Sequence, residues 1–291
     1  MRSHLADFDV VRPASLDEAL ALAATQAGKP GGITPLAGAT DLFVPFNAGQ
    51  LAPTTFLDLH AIAELAQAPR WNGDVYRLHA LTTYTECRRD PRVAERLPLL
   101  VAAARELGAL QIQNRATWAG NIANASPAAD GVPALLAYEA TVELASVRGR
   151  RTVPLDAYFT GYKQSVRAAD ELIVAFDVKV PAARARHFFR KVGTRRMQAI
   201  SKVVAAGVLE RDATDQVTRA TLALGSVAPV TLRARHVEAA LVGRRLDAAT
   251  LDAAARAVHQ DIAPIDDIRS TRVYRARIAE RLVRAFATTA G

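Results

Sequence analysis

The segment "TWAGNIANASPAAD" (Thr117–Asp130) has very little side-chain bulk, although apolar runs flank it. Its 14 residues include five alanines, one glycine, three asparagine or aspartate residues and two hydroxyl residues. A helical pattern precedes it and a strand-like run follows it. Gly120 permits backbone geometry that other residues rarely adopt, Asn121 and Asn124 can donate and accept hydrogen bonds, and the Asp130 carboxylate suits ribose hydroxyls. We interpret the segment as ligand-binding, and an ordinary Asn/Ser/Pro loop is the alternative.

A second block of small residues, "PLAGATDL" (35–42), follows another strand-like run. Small residues let a backbone approach a ligand closely, and a tight turn can direct successive N–H groups at one phosphate. Thr40 and Asp41 could add polar contacts. The block matches neither the P-loop nor the Rossmann pattern, and taken alone it is also explained by a plain turn. Two such blocks in one domain fit a long ligand with a pyrophosphate in its middle.

Composition excludes several classes of site. The chain has one cysteine, Cys87, so it can form neither an internal disulfide nor a four-cysteine metal site, and its six histidines are scattered. The net charge of +8 suits nucleic acid, an acidic partner or a phosphate-rich cofactor. Arginine is mixed with acidic residues along the chain, which disfavours nucleic acid. No run is apolar enough for a membrane span or signal peptide, so we expect a cytoplasmic protein.

Periodicity predicts an α+β protein with two domains, 1–181 and 186–291. The predicted helices cover 13–28 (capped by Ser15 and Glu18), 92–108 (interrupted at Pro98), 231–242, 247–259 and 271–287. The predicted strands cover 33–38, 54–59, 75–83, a hairpin at 140–155, 171–181, and three successive strands within 187–227.

The chain shows no obvious catalytic constellation. It has no Ser-His-Asp order and no H-E-x-x-H motif, Asp266–Asp267 resembles a helix cap, and Cys87 is interpreted as a small buried residue. Lys191 and its neighbours Arg195 and Arg196 form a basic cluster, either facing an anionic cofactor or partner or simply solvated. A protein that binds a large cofactor without catalytic residues of its own suggests redox chemistry.

Five motifs occur in the order found in one known family. They are "PLAGATDL", "IQNRATWAGNIANASPAAD", "FRKVGTRRMQAISKV", "LGSVAPVTLRARHVEAALVG" and "IDDIRSTRVYRARIAERLV". Over essentially its whole length the chain resembles the FAD-binding (medium) subunit of the molybdenum hydroxylases, the family of xanthine dehydrogenase and carbon monoxide dehydrogenase. The resemblance implies a two-part FAD-binding domain of the vanillyl-alcohol-oxidase (PCMH) type, followed by a small C-terminal α+β domain with a three-stranded antiparallel sheet and helices.

The resemblance also implies FAD as the cofactor and a set of contacts to it. The implied FAD-binding residues are Pro35, Leu36, Ala37, Gly38, Ala39, Thr40, Asp41, Leu42, Leu107, Thr117, Trp118, Ala119, Gly120, Asn121, Asp130, Ile173 and Lys191. Loop 35–42 would hold the pyrophosphate, Asp130 the ribose, and Lys191 would approach the isoalloxazine from the second domain.

Two alanines depart from the family pattern, because Ala39 and Ala119 stand where glycine is usual. Alanine is strained wherever φ is positive, so a positive φ at Ala119 would shift the second loop. Trp118 is bulkier than the usual residue, and it could contact a partner, adjoin the flavin or fill the core.

The implied role is electron transfer. A large molybdopterin-binding subunit would oxidise a purine, N-heterocycle or aldehyde, a small subunit would carry two [2Fe-2S] clusters, and this chain would pass electrons through FAD to an acceptor such as NAD+. The implied assembly is a dimer of heterotrimers. The alternatives are a stand-alone flavin oxidase or dehydrogenase on the same fold, and a basic binding protein with no cofactor.

Overall fold

The computed structural model describes residues 8–29, 32–50, 55–196 and 198–288. Residues 1–7, Thr54 and Met197, which belong to the N-terminus, the predicted strand 54–59 and the third motif, lie outside these ranges. The first part of the chain forms a three-stranded parallel sheet in the order β1-β3-β2. Its elements are β1 (Asp9–Val11), α1 (Leu16–Gln26), β2 (Ile33–Leu36), α2 (Phe43–Asn47) and β3 (Thr55–Asp58).

Helix α1 is shorter than the predicted 13–28, but it begins directly after the predicted cap Ser15 and ends two residues before the predicted stop Gly28. The Ser15 hydroxyl accepts a hydrogen bond from the Glu18 N–H at 3.2 Å, and Glu18 accepts one from the Ala14 N–H at 2.7 Å. Gly28 follows the helix with φ of 72°, a conformation that favours glycine. Local capping chemistry therefore determines this helix.

The next part is built on a five-stranded antiparallel sheet and six short helices. Its elements are β4 (Arg70–Asn72), β5 (Val75–His79), α3 (Tyr84–Arg89), α4 (Pro91–Arg96), α5 (Pro98–Glu106), α6 (Leu110–Gln113), α7 (Trp118–Ala123), α8 (Val132–Ala137), β6 (Thr141–Ser146), β7 (Gly149–Pro154), the hairpin β8 (Phe159–Gly161) and β9 (Gln164–Ser165), and β10 (Leu172–Lys179). The sheet order is β4-β5-β10-β6-β7.

Several predictions for this part are confirmed and one is wrong. The helix over 92–108 is divided at Pro98 into α4 and α5, and the hairpin β6–β7 turns at Val147–Arg148. The apolar run after Asp130 is the helix α8 rather than a strand. Its residues are all buried and Pro133 lies in its first turn, where the missing N–H costs nothing. Segment 118–123, for which an ordinary loop was the alternative interpretation, is helical and is capped by Thr117.

The last part combines an antiparallel sheet with three helices. Its elements are β11 (Arg186–Val192), β12 (Val203–Arg211), β13 (Val217–Gly225), β14 (Leu232–Arg233), α9 (Arg235–Leu241), α10 (Ala248–Asp261) and α11 (Arg272–Thr288). The three predicted strands form the sheet, and the two-residue β14 extends it at the edge. Asp266 accepts a hydrogen bond from the Arg272 N–H at 2.6 Å, as predicted for a cap of α11. The predicted domain boundary at 181–186 falls between β10 and β11 and stays a prediction.

The C-terminal sheet is buried on both faces. On β12, Val203 and Ala205 pack with the C-terminal helices, whereas Ala206 and Val208 join the core of the preceding part. Helix α8 lies against β12 and β13. These packed faces fix the position of the β11–β12 connection relative to segment 117–130.

Candidate functional site

The first small-residue segment packs against Arg115 and Ala116, the residues that directly precede the second segment. Gly38 packs very closely on this backbone. A Cβ added to it would lie 1.9 Å from the Arg115 carbonyl oxygen and 3.0 Å from the Ala116 Cα. Only glycine permits this approach, since Cβ atoms are not found so close to backbone. The convergence inferred from the sequence is therefore present in the fold.

The first loop presents backbone N–H groups that the chain itself does not use. None of the consecutive N–H groups from Ala37 through Leu42 has a hydrogen-bond acceptor among the described residues. The loop is partly accessible, from half-buried Ala37 to exposed Asp41. Successive unpartnered N–H groups in a turn form a concavity that suits an anion such as a diphosphate.

The hydrophobic residues of this block are placed on its flanks. Pro35 and Leu36 end β2, and both are half-buried. The side chains of Leu36 and Leu42 line an apolar pocket of about 150 Å³. Phe8, Val10, Phe43, Phe46 and Phe56 complete the lining of this pocket. Thr40, between the apolar flanks, is half-buried.

Of the two alanines that replace glycine, only Ala39 is strained. Its φ is 64°, in the left-handed region, at a cost of about 1 kcal/mol for a residue with a Cβ. Ala119 instead lies in the first turn of α7, where alanine is the most favourable residue. The second segment therefore needs no shift to accommodate its alanine.

The second segment is a capped helical turn. Thr117 caps α7 by accepting a hydrogen bond from the Gly120 N–H at 3.0 Å. The Trp118 ring is fully buried and stacks on Tyr84 with ring centroids 4.1 Å apart. Of the three roles considered for it, contact with a partner, contact with the flavin or filling the core, the structure shows the last. Gly120 and Asn121 are the partly accessible residues at this turn.

A buried ion pair joins the two parts of the chain beside this turn. Lys191 Nζ donates to Asp130 Oδ2 at 2.6 Å and to the Glu106 carbonyl oxygen at 3.0 Å. The exposed fractions of the Lys191 and Asp130 side chains are 4% and 12%. Burial raises the pKa of the Asp130 carboxyl, and the Lys191 ammonium counteracts this by favouring the charged form. Ser201 completes the group by donating to Asp130 Oδ1 at 2.9 Å.

The remaining predicted residues are Leu107 and Ile173. Leu107 follows Glu106 at the end of α5 and is half-buried. Ile173 is buried in β10, and α7 lies against that strand. The predicted residues therefore come from five places in the sequence: the loop after β2, the end of α5, the segment 117–130, β10 and β11.

Sequence reasoning missed Ser201, the Glu106 carbonyl and Tyr84. A backbone carbonyl carries no residue-type signal, and Ser201 was hidden at the start of an apolar strand pattern. Tyr84 had a usable signal, because Thr83 and Glu86 form a capping box that begins α3.

Other chemistries find little support in the described ranges. Cys87 is fully buried, and burial raises the pKa of its thiol far above the ordinary value. No group of three or more metal-ligating side chains is found in those ranges. Across the same residues, no helix is both long and apolar enough to cross a membrane.

The donors and acceptors of the site fit a flavin dinucleotide. The loop 37–42 offers N–H groups to a diphosphate, Gly38 keeps the loop against the second segment, and the Asp130 carboxylate has lone pairs free for hydroxyl groups.

Comparison with known proteins agrees with this fit. Residues 6–183 match the FAD binding domain in molybdopterin dehydrogenase, and residues 188–290 match the CO dehydrogenase flavoprotein C-terminal domain. The chain is 30% identical over 252 residues to the xanthine dehydrogenase FAD-binding subunit of Escherichia coli O157:H7, with 86% of this chain and 85% of that protein covered. It is 29% identical over 277 residues to the carbon monoxide dehydrogenase medium chain of Hydrogenophaga pseudoflava, covering 95% and 94%.

A solved structure has the same fold over nearly the whole chain. Carbon monoxide dehydrogenase from Hydrogenophaga pseudoflava, in a form lacking the Mo-pyranopterin moiety, superposes with a TM-score of 0.90 and 30% identity, covering 96% of this chain and 95% of that one. The α+β fold, with an FAD-binding part followed by an antiparallel C-terminal sheet, is thereby confirmed. The chain belongs to the FAD-binding (medium) subunits of the molybdenum hydroxylases, the oxidoreductase family of xanthine and carbon monoxide dehydrogenases, and its cofactor is FAD.

Proposed function

We propose that this chain is the electron-transfer subunit of a molybdenum hydroxylase complex. It receives electrons from [2Fe-2S] clusters on a small partner subunit and passes them to an external acceptor. A large molybdopterin-binding subunit hydroxylates the substrate, a purine, an N-heterocycle or an aldehyde. The observation that carries the proposal is the array of unpartnered N–H groups at 37–42, in a loop whose Gly38 packs on the backbone of Arg115 and Ala116.

Each part of the site has a role in holding the cofactor. The N–H groups of 37–42 bind the diphosphate, and Gly120 and Asn121 line the second side. Asp130 accepts a hydrogen bond from a ribose hydroxyl, and Lys191 opposes the rise that burial causes in the pKa of this carboxyl. Bound FAD supplies the exchange of single electrons with clusters and electron pairs with an acceptor.

The cysteine content supports a separate electron donor. A [2Fe-2S] cluster ordinarily needs four cysteine ligands, and the chain has only Cys87, which is buried. Clusters must therefore lie on another chain, in keeping with the name "medium chain" of a relative. We take NAD+ as the acceptor because segment 117–130 most resembles xanthine dehydrogenase, and we place the complex in the cytoplasm as a dimer of heterotrimers.

The test is to purify the chain alone and together with its candidate partner subunits. We expect one flavin per chain by visible absorption, assembly only upon co-expression, and flavin bleaching by substrate only in the complex. Asp130→Ala is expected to weaken FAD binding by about 1–3 kcal/mol, because a charge-assisted hydrogen bond is lost. A lone chain that oxidises a substrate by itself would favour a stand-alone flavin oxidase, and a chain that never takes up flavin would refute the proposal.

A further inference from the structure

We propose that Ser201 is a positioning residue of the flavin site, which orients the Asp130 carboxylate for the ribose hydroxyl. This inference rests on the proposed function. The Ser201 side chain is almost completely buried, with 1% of the residue exposed, and its hydroxyl donates to Asp130 Oδ1 at 2.9 Å. Lys191 donates to the other oxygen, Oδ2, at 2.6 Å.

The two donors together fix the carboxylate plane. A carboxylate held by one donor can still rotate about its Cβ–Cγ bond, whereas separate donors to Oδ1 and Oδ2 permit one orientation. Each oxygen keeps a second lone pair, so the carboxylate can still accept a hydrogen bond from a ligand hydroxyl. The Lys191 ammonium alone supplies charge but leaves Oδ1 without a partner in a buried place, which is costly.

Both donors belong to one rigid unit. Lys191 is the penultimate residue of β11, and Ser201 lies two residues before β12. The strands pair in antiparallel register with Val192 opposite Val203, and the Lys202 N–H donates to the Val192 carbonyl at 2.7 Å. The spacing of the two donors is therefore set by the sheet rather than by side-chain rotamers alone.

The contact between Lys191 and the Glu106 carbonyl oxygen also holds the ammonium in place. Lys191 Nζ also donates to the Glu106 carbonyl at 3.0 Å, so two of its three donors already have acceptors. The Ser201 hydroxyl is thus the group that holds Oδ1, and no other donor to this atom occurs among the described residues.

The test measures FAD affinity of the apoprotein by quenching of flavin fluorescence. Ser201→Ala is expected to weaken binding about tenfold, and Ser201→Thr, which retains the hydroxyl, to restore most of it. Ser226→Ala is the matched control, because the Ser226 hydroxyl is also buried in the second domain but has no hydrogen-bond partner. Its FAD affinity should equal that of the wild type.

A double-mutant cycle separates positioning from a structural role. In an Asp130→Asn background, Ser201→Ala should change affinity by less than about twofold, because its effect passes through the carboxylate. An undiminished tenfold effect in that background would overturn the inference, as would wild-type affinity of Ser201→Ala when Asp130→Asn binds weakly. A wild-type chain that binds no FAD would instead overturn the proposed function and the inference together.

Discussion

Replacing Gly38 by alanine should separate the two segments of the flavin site. The added Cβ would lie 1.9 Å from the Arg115 carbonyl oxygen, 2.6 Å from the Arg115 carbonyl carbon and 3.0 Å from the Ala116 Cα. All three obstructing atoms are backbone, so no side-chain rotation relieves the collision. The loop must withdraw by roughly 1 Å or more to reach ordinary contact, at a cost of about 1–3 kcal/mol.

That cost should appear mainly in FAD affinity, because the loop carries the N–H groups that hold the diphosphate. We expect Kd to rise about 10- to 100-fold for Gly38→Ala, since every 1.4 kcal/mol is about tenfold. The assay is titration of the apoprotein with FAD, followed by flavin fluorescence, with thermal unfolding of the apoprotein measured alongside.

Gly73→Ala provides the control. Gly73 lies in the β4–β5 turn with φ of 58° and open space around an added Cβ, so alanine there should lower stability without affecting FAD binding. If Gly38→Ala binds FAD as tightly as Gly73→Ala and the wild type, the close approach of the two segments has no part in cofactor binding and the reasoning fails.

Four further changes test other features. Ala39→Gly should stabilise the apoprotein by up to about 1 kcal/mol in urea unfolding, because φ is 64° there, and an unchanged midpoint would contradict the strain. Gly120→Val should abolish flavin retention on gel filtration, and full retention would remove Gly120 from the site. Lys191→Ala should raise the pKa of Asp130 further, so that on acidification FAD affinity begins to decline at a higher pH than in the wild type; coincident pH profiles would exclude this role. Burial lowers the pKa of His187 from 6.5 to about 4. As the pH falls from about 6.5 to about 4, this histidine is therefore protonated in the unfolded chain before it is protonated in the folded one, and the free energy of unfolding decreases. The loss should reach about 2 kcal/mol after allowance for screening at the half-buried ring. Urea unfolding at pH 7 and about pH 4.5 measures it, and His187→Gln should remove this part of the difference between the two pH values.

Local patterns predicted much of the fold because their causes are local. Ser15, Gly28 and Pro98 act through their immediate neighbours, and each begins, ends or interrupts a helix where expected. The run 132–137 was misassigned because every residue in it is buried, which removes the periodicity that distinguishes a helix from a strand.

The site could be predicted in composition but not in geometry. The two small-residue segments were identified from residue type, yet their contact depends on one glycine against a distant backbone carbonyl. Lys191 and Asp130 are 61 positions apart, and their pairing requires the packed sheet between them. The sign of φ at Ala39 and Ala119 follows from tertiary placement, so which alanine is strained was open until the fold was known.

Because helix α8 covers one face of the C-terminal sheet, the two halves of the chain are not interchangeable modules. In this chain Ala206, Val208 and Ala223 of the C-terminal sheet belong to the first core. A chimaera that joins residues up to 181 with the C-terminal half of a relative would replace them by the relative's residues, whose apolar surface does not match that core. Recombination within this family should therefore succeed only when α8 and the sheet that it covers come from the same parent protein. A C-terminal fragment produced alone would expose that face to water, and self-association is its expected fate.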